Sequence, residues 1–89
     1  MRLNITIEIW KKRNWFIAKC PELDFISQGK THEEAKENLL EVIRIQFVEM
    51  AELGTLDEYL GECGLVREGD EVTALSEMVG MKKYSLQVA

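Results

Sequence analysis

Residues 2–10 of this chain read Arg-Leu-Asn-Ile-Thr-Ile-Glu-Ile-Trp, an alternation that sends Leu3, Ile5, Ile7 and Ile9 one way and Arg2, Asn4, Thr6 and Glu8 the other. A backbone separates the two sets only when successive side chains point in opposite directions, so the segment is expected to be a strand with one covered face. Such a strand needs neighbours along its edges and an apolar layer on its buried side. Lys11-Lys12-Arg13-Asn14 is a charged connection, and Trp15–Cys20 resumes with aromatic and β-branched residues suited to a second strand. Pairing Trp10 with Trp15 across this hairpin places Ile9 opposite Phe16 and Ile7 opposite Ala18, which keeps apolar partners together. Pro21-Glu22-Leu23-Asp24 then interrupts the ladder, since proline has no N–H to donate, and Phe25–Gly29 is read as a third strand.

Thr31-His32-Glu33-Glu34 has the form of a capping box, with two acidic residues placed at the positive end of a helix dipole. Ala35, Leu39, Val42, Ile43, Gln46, Phe47 and Met50 follow at helical spacing, and Leu40, Ile45 and Val48 are expected to widen that stripe. Glu33, Glu37 and Glu41 repel one another at four-residue spacing, so packing rather than the helix surface must hold this element. Gly54 is the expected stop. A second box, Thr55-Leu56-Asp57-Glu58, opens a short helix that Gly61 and Gly64 close. Arg67-Glu68-Gly69-Asp70 is turn-like, residues 71–80 suit a weak helix or an irregular crossing, and residues 82–88 alternate again as a last strand. The fold class expected is α+β: a three-stranded antiparallel meander, a long helix, a short helix and a final strand, with all four strands in one largely antiparallel sheet.

Eighty-nine residues suit a single domain over residues 1–89. No stretch approaches the ~20 apolar residues of a membrane helix, and the N-terminus lacks the continuous apolar run of a secretory signal. A reducing cytoplasm is therefore expected, with Cys20 and Cys63 as buried thiols. Charge is unevenly spread: residues 1–30 hold six basic and three acidic side chains, residues 31–80 three basic and thirteen acidic, and residues 81–89 only Lys82 and Lys83. So acidic a middle disfavours a phosphate backbone and suits either a basic protein partner or a plainly solvated face. The chain is not expected to be an enzyme and no cofactor is expected. Its one histidine, His32, falls in the first helical turn, and there is no phosphate loop or nucleophile elbow. Glu8 and Asp24 could at most share a metal at the sheet, as carboxylates on strands do in magnesium-dependent nucleases. Trp10 and Trp15, on the face away from the helix and ringed by Lys11, Lys12, Arg13 and Lys19, read either as an interface or as a hairpin staple.

Cys20-Pro21-Glu22-Leu23, followed by Ile26-Ser27-Gln28-Gly29-Lys30-Thr31-His32-Glu33-Glu34-Ala35, is similar to the HicB-like antitoxin domain. That family has a Pro-Glu-Leu step after its second strand, then Ser-Gln-Gly and Thr-x-Glu-Glu-Ala at the helix start. The likeness covers about residues 1–50 closely and the remainder only by order of elements. It implies a partial ribonuclease-H-like fold without the catalytic carboxylates, and a protein that binds and neutralises a small basic HicA-type toxin that cleaves messenger RNA. Many members add a DNA-binding segment, for which no length is left after the last expected strand, so DNA binding is not expected of this chain. On this reading Trp10, Lys12, Trp15, Glu33, Glu37 and Glu41 contact the partner, and the chain forms a homodimer or larger homo-oligomer. The alternatives are an orphan self-associating domain or a degenerate magnesium-dependent nuclease.

Overall fold

In the computed structural model, which describes residues 1–89, the alternating N-terminal segment is divided into β1 (Arg2–Asn4) and β2 (Glu8–Lys12). The division has a visible cause at Thr6. Its backbone N–H donates to both carboxylate oxygens of Glu22 at 3.0 and 3.1 Å, and its hydroxyl donates to one of them at 2.7 Å. A side chain thus stands where a neighbouring strand would, and the segment changes partners across it. The chain continues through β3 (Trp15–Cys20), β4 (Phe25–Gly29), α1 (His32–Leu53), α2 (Leu56–Glu62), β5 (Leu65–Glu68) and β6 (Glu71–Ala74).

The α+β class is as expected, but the strands form two three-stranded sheets rather than one, ordered β2-β3-β4 and β1-β6-β5. The first is the antiparallel meander; in the second, β1 runs parallel to β6. The β2–β3 register also differs from the expected one. Trp10 lies opposite Ile17 and Lys12 opposite Trp15, so only Arg13 and Asn14 form the loop. Arg13 takes φ 57°, the left-handed conformation with which two-residue hairpin loops match the twist of their strands. Because the shift is by two residues, every side chain keeps its face.

On the inner face of the meander, α1 sets Ala35, Leu39, Ile43 and Phe47 against Ala18, Cys20 and Leu23. Gly29 permits the close approach: a Cβ there would lie 2.6 Å from the Ala35 backbone nitrogen and 2.9 Å from Glu34. Thr31 caps the helix by accepting from the Glu34 N–H at 3.0 Å. Gly54, at φ 75°, ends it. On α2, Leu56 and Leu60 are buried; Tyr59 stacks on Phe25 at 6.1 Å and donates to the Leu23 carbonyl at 2.8 Å.

The turn expected within residues 67–70 falls at Gly69-Asp70, but it joins two strands, and the segment expected as a weak helix or irregular crossing begins with the second of them. β5 and β6 pair around Gly69-Asp70, with glycine at φ 60° in the first loop position. Leu65 and Val72 are its buried residues. The strand expected over residues 82–88 is absent: residues 77–89 have no secondary structure and are exposed, and they pair with no strand of either sheet. The radius of gyration is 15.3 Å, against about 12 Å for a compact chain of this length. No helix is long and apolar enough to cross a membrane.

Candidate interaction surfaces

Two surfaces hold the residues singled out in the sequence, and they lie on opposite layers. Glu8, Trp10 and Lys12 of β2 alternate onto the outer face of the meander, joined there by Trp15, Ile17 and Lys19 of β3 and Ile26 and Gln28 of β4. Trp10 is 49% exposed, Trp15 43% and Ile26 60%, so this outer layer offers an uncovered apolar surface. The tryptophans are diagonal neighbours rather than a direct cross-strand pair, because Lys12 stands opposite Trp15. The Trp10 indole N–H instead donates to Glu8 at 3.0 Å. Lys11 does not ring the patch. It faces inward, with its ammonium 6.0 Å from the Phe16 ring centroid.

Glu33, Glu37 and Glu41 are all exposed on α1, behind the sheet. One flat partner surface therefore cannot cover them together with Trp10, Lys12 and Trp15. Ile45 and Val48, expected in the buried stripe, are 55% and 60% exposed. Ile45 is two residues beyond buried Ile43, about 200° round the helix, which carries it to the solvent side. The signal was present in the spacing, but apolar residues recur on both sides of the helix between Leu39 and Met50 and obscured it. Ile17, Ile26, Ile45 and Val48 are thus the interface candidates that sequence reasoning passed over.

The residues with candidate chemistry have other occupations. His32 is exposed, and its ring meets Phe16 edge-on at 6.4 Å. Glu8 holds the Trp10 indole, and Asp24 occupies a turn at φ 57°, a conformation aspartate tolerates. No group of three or more His, Cys, Asp or Glu residues is gathered as metal ligands would be. A groove runs between the break in the N-terminal strand and residues 76–78; Glu22 and Glu77 are its only carboxylates. Glu22 is committed to Thr6. Its partial burial pushes the carboxyl upward, but the bonds from the Thr6 hydroxyl and N–H outweigh that and hold it below the usual glutamate range. Burial pushes the Cys20 thiol up to about 11, with the nearby Glu22 charge adding to the effect.

The steps that carry the family likeness have structural occupations too. Glu22 clamps Thr6, Leu23 is buried and accepts from Tyr59, Gly29 admits the helix, and Thr31 caps it. No family model matches the chain, and no curated protein or solved structure matches it.

Proposed function

We propose that this protein is a non-catalytic binding module of antitoxin type, which neutralises a small basic HicA-type ribonuclease by covering it. The observation that carries the reading is the outer face of the meander, where Trp10, Trp15 and Ile26, with the half-buried Ile17 between them, form an uncovered apolar surface with charged side chains at its margin. Large aromatic side chains on a rigid sheet supply binding area at little cost in side-chain entropy. The resemblance over residues 1–50 supplies the class of partner. The steps that carry it maintain the fold, so partner contacts fall to exposed positions. Glu33, Glu37 and Glu41 contribute to the acidity that attracts a basic protein over distance, an effect on association rate rather than on the contact itself.

The test is binding of a HicA-type toxin and protection of its RNA substrate, with the full chain and with Trp10→Ala/Trp15→Ala. Both side chains are about half exposed, so the variant is expected to keep its fold and to lose at least tenfold in affinity, in the range of a hot-spot truncation. Unchanged affinity would remove the tryptophan face from the interface. Failure of the full chain to bind any such toxin would remove the antitoxin reading. Self-association into a homodimer is the second part of the proposal, favoured by the exposed apolar residues of the segment after β6.

A further inference from the structure

We propose that residues 79–88 are an exchange arm that lies on the solvent face of α1 in a second copy of this chain. This rests on the self-association part of the reading above and is independent of the toxin. The arm carries five large apolar side chains in ten residues: Val79 is 95% exposed, Met81 67%, Tyr84 83%, Leu86 74% and Val88 89%. The last backbone hydrogen bond tying this end of the chain to the body is from the Leu75 N–H to the Gly64 carbonyl, at 2.9 Å. Single exposed apolar residues are ordinary; five within ten residues, on a backbone with no hydrogen-bonded neighbour, are a surface prepared for a partner.

The receiving surface is the back of α1. Ile45 and Val48 stand exposed there beside Arg44, Glu49 and Glu52, with Glu41 one turn before them. Lys82 and Lys83 are the only basic side chains after Arg67, in a chain of net charge -5. They lie between the two apolar halves of the arm, so an arm seated on Ile45 and Val48 brings both ammonium groups to the flanking glutamates. The alternative surface, the tryptophan face, bears Lys12 and Lys19 and a single carboxylate, Glu8, which already accepts from the Trp10 indole, so it is the less favourable seat for a dibasic segment. A second copy offers the acidic helix without requiring the arm to fold back over its own body. A two-fold arrangement lets each copy give one arm and receive one.

Light scattering on the full chain over a dilution series tests this, together with hydrogen exchange of the arm amides. The expected result is a two-chain mass, with protection over residues 79–88 that disappears on dilution. Tyr84→Glu/Leu86→Glu and, separately, Ile45→Glu/Val48→Glu should each reduce the mass to one chain with an unchanged far-ultraviolet spectrum, since all four side chains are exposed. Lys82→Glu/Lys83→Glu should weaken assembly by about tenfold or more, and adding Glu49→Lys/Glu52→Lys should restore it. A one-chain mass at every concentration overturns both the arm and self-association. A two-chain mass that survives the arm substitutions overturns the arm and leaves self-association to another face. Loss without restoration by the charge exchange overturns α1 as the receiving surface.

Discussion

Gly29 and Glu22 show how much of this fold depends on single side chains, or on the lack of one. Any Cβ at Gly29 would collide with the helix backbone at Ala35, and backbone cannot move aside as a flexible side chain can. Gly29→Ala is expected to cost about 2 kcal/mol, as other overpacked sites do, measured by urea unfolding. At Glu22 the folded protein favours the carboxylate, so its contribution is fully present above the ordinary glutamate value of 4.5 and is lost as pH falls through the lower folded value. The melting temperature of the native protein should therefore fall on acidification below that value. Glu22→Gln should be less stable at neutral pH and should lose less further stability in acid.

The two helices begin with the same pattern of residues and are held differently. At α1 the Thr31 hydroxyl caps the Glu34 N–H; at α2 the Thr55 side chain makes no cap, its hydroxyl turning back toward the Met50 carbonyl at 3.4 Å. Thr31→Ala should accordingly cost about 1 kcal/mol and Thr55→Ala only a few tenths, read from paired denaturation curves. The meander and the long helix were legible because period and caps agree with tertiary packing over many residues. The register was not, because a four-residue charged connection and a two-residue loop both keep the apolar partners on one face. What selects between them is the left-handed conformation at Arg13, which its residue type does not announce. β5 and β6 are four residues each, too short for periodicity to separate from a turn or a weak helix.

At the scale of the whole molecule, the core joins one buried cysteine to residues from the meander, both helices and the second sheet. Cys20 is fully buried and Cys63 partly exposed, so alkylation should reach Cys63 in the native protein and Cys20 only through opening of the body. Folding raises the Cys20 pKa from 9.0 to about 11, favouring the protonated thiol. That contribution is complete below pH 9 and is lost as pH rises toward 11, because the unfolded chain gives up its proton first. A fall in unfolding free energy over that interval, smaller in Cys20→Ser, checks it. The same scale separates the two groups of expected contact residues: Trp10, Lys12 and Trp15 share one layer, while Glu33, Glu37 and Glu41 lie on the other.

Local period and capping are enough to specify the α+β class, the meander, the span of the long helix and the burial of Ala18, Cys20, Leu39 and Ile43. Tertiary structure decided that the N-terminal strand breaks at Thr6, that the strands divide into two sheets, and that Ile45 and Val48 face solvent. It also decided that residues 82–88, alternating like a strand, have no strand beside them. Alternation records which side chains a strand would bury. Whether a neighbour exists to complete its hydrogen bonds depends on chain far away in sequence, or on another molecule.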